Sequence, residues 1–304
     1  MRLTFWGVRG SYPVASSTTL RYGGHTSCIQ LDIPGVDAPY VLDAGTGIRN
    51  LGMRLLEGSF GKGEGTLRLF LSHLHWDHVQ GLPFFGPAHV GGNRIHVYGR
   101  GRDGAPLLEA VTGITRREFF PVGMDSFPAT MEFTEVSPNV AIEADGVRIL
   151  PLSLNHPWGA LGYRFDKGGK SVAYVTDTSP FHTIRYPEKF VTGAPKELSE
   201  EDRLALGEMR KNLVAGLAGA DVVVYDTQYT DAEYEKFPHW GHGTPKHALE
   251  ICREAKAKKL VLFHHAPGRT DDDQDKVTVE TKEIASKDGI EVVSAMEGMR
   301  VELG

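Results

Sequence analysis

Cysteine and long apolar segments are both scarce in this chain of 304 residues. Only two cysteines occur, Cys28 and Cys252, which argues against a disulfide framework and against a cysteine-rich metal site. We expect both to be ordinary buried thiols. The N-terminal apolar stretch is too short for a signal peptide, and no later run reaches membrane-spanning length. These features predict a cytoplasmic protein without a membrane partner.

Repeats and low-complexity segments are also absent from the sequence, which argues against extended disorder. Hydrophobic residues make up 40% and charged residues 24%, and strand and helix patterns run through both halves, so we expect a single domain over residues 1–304. The formal net charge of −6 opposes non-specific adherence to nucleic acid, although a local basic groove is compatible with it. The sequence does not decide between a monomer and a homodimer.

Strand patterns dominate the first part of the chain, and strands alternate with helices in the last part. Apolar residues at helical spacing predict helices over 198–217, 245–255 and 277–287. Short apolar runs predict strands over 3–8, 27–31, 40–42, 67–71, 94–98, 131–136, 147–154, 161–165, 171–176, 221–225, 259–263, 291–293 and 300–303. This pattern indicates an α/β protein in which helices cover packed sheets.

One long irregular segment, 179–199, contains three prolines, aromatic residues and mixed charge without a clear period. Loops of this length are often lids over an active site. A surface insertion without such a role explains the pattern equally well, so the sequence leaves both interpretations open.

Potential metal ligands are concentrated directly after the predicted strand 67–71. His73, His75, Asp77 and His78 fall within six residues. In an extended segment His73 and His75 project to the same side, and Asp77 and His78 begin the next element and can turn toward the same point. Each residue alone could be a core histidine or a helix cap, but the four together indicate a metal site.

This motif resembles that of the metallo-β-lactamase superfamily, and the resemblance covers nearly the whole chain. It implies an αββα four-layer sandwich and two divalent metal ions. The family pattern assigns one ion to His73, His75 and His156 and the other to Asp77, His78 and His264, with Asp177 bridging the two ions. Nitrogen-rich ligation favours zinc, while the carboxylates also admit manganese or iron.

Two assignments within this pattern have alternatives. His264 and His265 are adjacent, so spacing alone does not separate them; the resemblance favours His264, which directly follows a predicted strand, and makes His265 an outer contact. Asp43 precedes a Gly-rich turn that is also typical of the superfamily. It either orients a ligand histidine or the loop backbone, or it forms an Asx turn that shapes Gly45 and Gly47.

Two further segments resemble the branch of the superfamily that contains tRNase Z and cyclic-nucleotide phosphodiesterases. The first places Asp226 after a predicted strand, and the second, Gly241-His242-Gly243-Thr244, is similar to a His-Ser-Thr motif. In that branch the acidic residue orients the histidine, which helps to protonate the leaving oxygen. We therefore predict Asp226 and His242, together with Asp77, as catalytic residues. The alternative is a turn former for Asp226 and a capping loop residue for His242.

The same comparison orders the candidate activities. Iron-based redox members usually replace the second motif histidine, which is retained here as His75, and zinc β-lactamases generally lack the bridging Asp177. No basic Gly/Pro-rich arm for tRNA is evident. The resemblance thus implies a phosphodiesterase that uses a metal-bridged hydroxide on small phosphodiesters such as cyclic nucleotides, with extended nucleic acid less favoured. The alternatives are a tRNase Z-like or other nuclease, a thioester or lactone hydrolase, and a metal-binding protein without catalysis.

Overall fold

The computed structural model describes residues 1–102, 104–186 and 197–303, which form two compact units. Unit 1 comprises Met1–Ser137 and Met296–Gly304, and unit 2 comprises Pro138–Ala295. Each unit contains one seven-stranded sheet. The single domain over 1–304 stays a prediction. The irregular segment 179–199, for which the sequence leaves a lid and a surface insertion open, includes residues 187–196, which lie outside the described residues.

Unit 1 is built on a mixed sheet with helices after its strands. Its helices are α1 (Ile48–Leu56), α2 (Trp76–Val79) and α3 (Leu107–Thr112). Its strands are β1 (Arg2–Gly7), β2 (Cys28–Asp32), β3 (Tyr40–Leu42), β4 (Thr66–Phe70), β5 (Arg94–Gly99), β6 (Thr130–Glu135) and the last strand of the chain, β14 (Arg300–Glu302). They lie in the order β14-β1-β2-β3-β4-β5-β6. The pairs from β14 to β3 are antiparallel, and those from β3 to β6 are parallel.

Unit 2 repeats this division between antiparallel and parallel pairing. Its helices are α4 (Glu200–Gly216), α5 (Asp231–Tyr234), α6 (Pro245–Glu254) and α7 (Asp271–Ala285). Its strands are β7 (Ile142–Ala144), β8 (Val147–Leu154), β9 (Ala160–Lys167), β10 (Lys170–Val175), β11 (Val222–Asp226), β12 (Lys259–Phe263) and β13 (Glu291–Ser294). The order is β13-β12-β11-β10-β9-β8-β7. The strands β10 to β13 are parallel, and β7 to β10 pair antiparallel.

The strand pattern predicted from the sequence agrees with the structure, and the predicted α/β class is confirmed. All thirteen predicted strands are present, with ends shifted by at most two residues. The prediction omitted α1, the short helices and β7. It also started the last helix at Val277, whereas α7 begins at Asp271. Thr270 caps this helix by accepting a hydrogen bond from the Asp273 N–H, and three acidic residues in the first turn favour its start although they lack an apolar period.

The parallel strands explain how distant polar residues come together within each unit. In unit 1, Asp43 follows β3 and the motif 72–78 follows β4, its parallel neighbour. In unit 2, Asp177, Asp226 and His264 lie at the ends of the adjacent parallel strands β10, β11 and β12. Parallel strands end at the same sheet edge, which is where ligand sites in such sheets are built.

Each unit has its own apolar core, and the two cysteines belong to these cores. Cys28 lies in the core of unit 1 and Cys252 in that of unit 2, and both are free thiols. Burial raises the pKa of Cys28 well above its usual range and that of Cys252 to about 12. The prediction of ordinary buried thiols is thus confirmed. Within the described part of the chain, no helix is long and apolar enough to cross a membrane.

Close backbone packing in unit 1 holds the metal motif against the loop after β3. The Ala44 N–H donates to the His78 carbonyl at 2.7 Å, and the Gly81 N–H donates to the Ala44 carbonyl at 2.9 Å. A Cβ added to Gly45 would lie 2.3 Å from the Asp77 carbonyl oxygen. Only glycine therefore allows the loop to approach the motif this closely.

We predict that Gly45→Ala lowers the free energy of unfolding by about 1–3 kcal/mol, because the added methyl group must displace backbone atoms. Urea unfolding measures the change. Gly113→Ala in the same unit is the matched control, because Gly113 has helical φ and ψ of −55° and −27°, and a Cβ added there would meet no described atom within 4 Å beyond its chain neighbours. Equal stability of the two variants would show that the loop tolerates displacement.

Candidate metal centre

Three imidazole rings of the predicted motif cluster in unit 1. The backbone is extended at His75, where φ is −66° and ψ is 152°, and α2 begins at the next residue. The ring centroids of His73 and His75 are 4.4 Å apart, and those of His73 and His78 are 4.3 Å apart. His73 and His78 are buried and His75 is half-buried. The end of β4 and the start of α2 thus bring the three rings together.

The Asp43 carboxylate organises this cluster. It accepts hydrogen bonds at 2.7 Å from the Ser72 N–H, from the Ser72 hydroxyl and from His78 Nδ1. Asp43 is fully buried and its φ is +59°, a conformation that aspartate adopts more readily than most residues. These contacts support the interpretation that Asp43 orients a ligand histidine.

The orientation of His78 is suited to metal binding. In the tautomer whose Nδ1–H donates a hydrogen bond to Asp43, Nε2 carries a lone pair, and this Nε2 lies 3.3 Å from Asp77 Oδ2. A lone pair and a carboxylate oxygen that face each other are stabilised by a shared cation. The same Asp77 oxygen accepts a hydrogen bond from the Ser11 N–H at 2.7 Å, which positions the carboxylate.

Asp177 is the centre of a second cluster, which lies in unit 2. It follows β10 with a φ of +47° and is 1% exposed. His264 Nε2 lies 3.2 Å from Asp177 Oδ1, and His156 Nε2 lies 3.7 Å from Asp177 Oδ2. His264 also has a positive φ, +62°. The ends of β8, β10 and β12 thus bring two imidazoles to one buried carboxylate.

His156 is oriented in the same way as His78, but by a backbone carbonyl. His156 Nδ1 donates to the Gly241 carbonyl oxygen at 2.8 Å, and this contact leaves Nε2 of the ring on the side of Asp177. Gly241 has a φ of +88°, and a Cβ there would lie 2.4 Å from His156 Nδ1. A glycine is therefore needed next to this ring.

The predicted pair of Asp226 and His242 lies beside this cluster. His242 Nδ1 donates to Asp226 Oδ2 at 3.0 Å, and the ring centroids of His242 and His264 are 5.0 Å apart. Asp226 also accepts hydrogen bonds from the Thr178 N–H at 3.1 Å and the Gln228 N–H at 3.0 Å. The carboxylate is fixed by the backbone, and it in turn fixes the imidazole.

The donor set of unit 2 fits a divalent metal ion. Asp177, Asp226, His242 and His264 each offer one ligand atom, and these atoms lie within 4.8 Å of one another. All four residues are buried. A cation would add to the hydrogen bonds that stabilise these buried carboxylates, and imidazole and carboxylate together are ligands that zinc accepts.

The structure separates the two adjacent histidines that the sequence left ambiguous. His264 faces Asp177, whereas His265 Nε2 donates to the Ala295 carbonyl oxygen at 2.8 Å, at the end of β13. This geometry supports His264 as the late ligand and His265 as a contact that ties β12 to β13. The assignment itself stays a prediction.

Sequence reasoning missed several contacts that complete these clusters. Nothing in the sequence indicated that the Gly241 carbonyl orients His156 or that the Thr178 N–H binds Asp226. The glycine at position 243, where the related motif has serine, also has a structural reason. A Cβ there would lie 2.9 Å from the Asp226 carbonyl oxygen and 3.1 Å from the Thr178 carbonyl oxygen.

Comparison with known proteins identifies a family model and relatives that match most of this chain. A family model described as a beta-lactamase superfamily domain matches residues 40–191 and 205–265. Ribonuclease Z from Myxococcus xanthus (strain DK1622) is 25% identical over 329 residues, covering 100% of this chain and 98% of its own.

Two solved structures are similar over nearly their whole length. The metallo-beta-lactamase fold protein YhfI from Bacillus subtilis has a TM-score of 0.67 at 20% identity and covers 99% of this chain and 98% of its own. Unliganded yeast PDE1 has a TM-score of 0.69 at 12% identity and covers 99% of each chain. The predicted metallo-β-lactamase fold is thereby confirmed.

We predict that Asp43→Ala lowers the affinity of the protein for one divalent ion about 10- to 100-fold, because His78 loses the partner that orients its ring. Metal content after reconstitution with zinc and dialysis against a weak chelator measures the effect. Asp37→Ala, which removes an exposed carboxylate of the same unit, should retain the wild-type metal content. Unchanged metal affinity in Asp43→Ala would contradict the orienting role.

Proposed function

We propose that this chain, a metal-dependent hydrolase that belongs to the metallo-β-lactamase superfamily, cleaves phosphodiester bonds in small substrates such as cyclic nucleotides. The observation that carries the proposal is the buried pair of His242 and Asp226, joined at 3.0 Å beside Asp177 and His264. Such a pair can deliver a proton to a departing oxygen next to metal ligands.

The proposed ligands are those that the family pattern assigns. His73, His75 and His156 would hold one ion, Asp77, His78 and His264 the other, and Asp177 would be shared. Zinc suits the nitrogen-rich set best, and manganese or iron also fits. When bound, divalent ions supply Lewis-acid stabilisation of phosphate oxygens and lower the pKa of water.

The residues of this chain prepare the proton transfer. Asp226 is held by three backbone N–H groups, those of Thr178, Gln228 and Gly243. It also accepts a hydrogen bond from His242 Nδ1. An imidazole oriented in this way is stabilised when it becomes charged, and its Nε2 proton can then pass to the leaving oxygen. His242 is 6% exposed, so its ring is shielded from solvent.

The need for a proton donor is what favours a phosphodiester over a thioester. An alkoxide is a poor leaving group at neutral pH and gains from protonation, whereas a thiolate leaves readily without it. A buried imidazole such as His242, oriented by the Asp226 carboxylate, would contribute little to thioester hydrolysis. The pair therefore supports phosphodiester hydrolysis as the activity.

A ribonuclease is the second candidate, because a relative named ribonuclease Z covers the full chain. The sequence shows no Gly/Pro-rich segment with basic residues that would serve as a tRNA-binding arm, and the formal net charge is −6. Both observations favour a small phosphodiester over extended RNA.

The substrate class is tested with a panel of esters. We expect the zinc- or manganese-loaded protein to hydrolyse bis(p-nitrophenyl) phosphate and 2′,3′- or 3′,5′-cyclic nucleotides, and to hydrolyse nitrocefin and S-lactoylglutathione poorly. Asp77→Ala serves as the blank, because loss of a proposed ligand should abolish turnover. A preference for either of the last two substrates over every phosphodiester would overturn the proposal.

We predict that His242→Ala lowers turnover of cyclic nucleotides about 10²- to 10⁴-fold, the usual contribution of a general acid. The loss should be much smaller with bis(p-nitrophenyl) phosphate, whose nitrophenolate leaves without a proton. The double variant with Asp226→Asn should be little worse than His242→Ala, because the two residues act as one unit.

Two measurements separate this role from metal binding. Metal content of His242→Ala should match that of the wild type; a loss of metal would instead make His242 a ligand of the four-residue cluster in unit 2. His239→Ala is the matched control. His239 lies three positions before His242 and accepts a hydrogen bond from the exposed side chain of Trp240. It should leave turnover unchanged.

A further inference from the structure

Four aromatic side chains form an exposed cluster on unit 1, next to the metal motif. The exposed fractions of Trp76, Phe84 and Phe119 are 58%, 59% and 68%, and Phe120 is half-buried. The rings form two edge-to-face pairs: Trp76 with Phe119 at 6.3 Å and Phe84 with Phe120 at 5.3 Å between centroids. We name these four residues the aromatic cluster.

A tight turn places two of these rings. The N–H groups of Phe119 and Phe120 both donate to the Arg116 carbonyl oxygen, at 2.8 and 2.9 Å. This turn directs adjacent side chains to different partners, Phe119 to Trp76 and Phe120 to Phe84. Trp76 is the first residue of α2, between the proposed ligands His75 and Asp77. The aromatic cluster thus begins within the metal motif itself.

Exposure of this kind is not explained by the stability of unit 1. A tryptophan and a phenylalanine that leave more than half of their surface in water forgo most of the free energy that burial would provide. Exposed contiguous aromatic surface next to polar groups is typical of binding sites. The edge-to-face pairing leaves ring faces accessible for stacking.

The charges beside the aromatic cluster indicate the kind of ligand. Arg116 and Arg117 are both exposed, and within the described residues neither forms an ion pair. Glu118 reduces the net charge of the turn 116–122 to one positive charge. Guanidinium groups beside accessible aromatic rings suit an anion that itself carries flat rings, such as a nucleotide.

The geometry points to the aromatic cluster as a stacking surface for the nucleobase of a nucleotide, so that the substrate is a nucleoside-containing phosphodiester. This inference rests on the proposed function, because it names the substrate class of that activity. Because Trp76 lies between His75 and Asp77 along the chain, a base stacked on Trp76 would lie next to the metal motif. Arg116 and Arg117 would contact additional phosphates of a longer ligand.

The experiment compares a ligand that has a base with one that lacks it. Calorimetric titration of the metal-loaded protein with adenosine 5′-monophosphate and with ribose 5-phosphate measures the contribution of the base, since both probes carry the same phosphate. We expect the nucleotide to bind about 5- to 100-fold more tightly. Equal affinities, or no binding of either probe, would overturn the inference.

Two matched substitutions at Phe119 separate stacking from apolar contact. Phe119→Tyr retains a ring and should keep the preference for the nucleotide, whereas Phe119→Leu retains an apolar side chain of similar size and should lose most of it. Leu20→Ala, at an exposed apolar residue of the same unit, should have no effect. If Phe119→Leu keeps the full preference, the aromatic cluster does not bind the base.

A third arm distinguishes the two sources of such a ligand. If the natural ligand is a single strand, a hexamer of adenylate should bind more tightly than the mononucleotide, and Arg116→Gln with Arg117→Gln should weaken the hexamer much more. If the natural ligand is a mononucleotide, the adenylate hexamer and the mononucleotide should bind with the same affinity. Either result supports base stacking, whereas binding of anionic lipid vesicles in preference to both nucleotides would contradict it.

These readouts are independent of turnover. A protein that hydrolyses bis(p-nitrophenyl) phosphate but shows no preference for the base would retain the proposed function and refute the stacking surface. A protein that shows the Phe119-dependent preference but no phosphodiesterase activity would retain the stacking surface and refute the proposed function.

Discussion

Burial of carboxylates is the constraint on which the rest of the structure depends. Asp43, Asp177 and Asp226 are 0–1% exposed, and an ionised carboxylate in such a place is stable only when hydrogen bonds or cations compensate for the lost water. The protein meets this demand with backbone N–H groups, with Ser72 and with imidazole rings. The histidines are in turn oriented by the carboxylates, so that neither set of residues is placed without the other.

The backbone is also constrained where these side chains meet. Asp43, Asp177 and His264 all have positive φ at the ends of strands, a conformation that costs free energy for residues other than glycine. Each follows a strand whose parallel neighbour ends at the same edge. A chain that leaves the sheet in an ordinary extended conformation would direct these side chains elsewhere. The strain is thus located at the residues that the proposed chemistry requires.

Glycines allow the backbone to approach the candidate site residues closely. Gly45 allows the loop after β3 to contact the metal motif, and Gly241 allows its carbonyl to hold His156. Gly243 shows how a departure from a related motif can be structural, because a serine Cβ would meet two carbonyl oxygens. Its hydroxyl is therefore not a requirement of this site, and the proposed proton transfer depends on the imidazole of His242 and the carboxylate of Asp226.

The sequence by itself predicted the α/β class and every described strand except β7, because apolar periodicity is a local signal. Its clustered histidines indicated a metal site, and the family resemblance supplied the remaining candidate site residues. The sequence did not determine α1, which lacks a polar cap, or the start of α7. Tertiary structure alone decided that His264 faces Asp177 while His265 bonds to Ala295, and that Gly241 orients His156. It alone also decided that Phe119 lies against Trp76. These contacts join residues far apart along the chain, and only the pairing of strands and the turns after them bring such residues within reach.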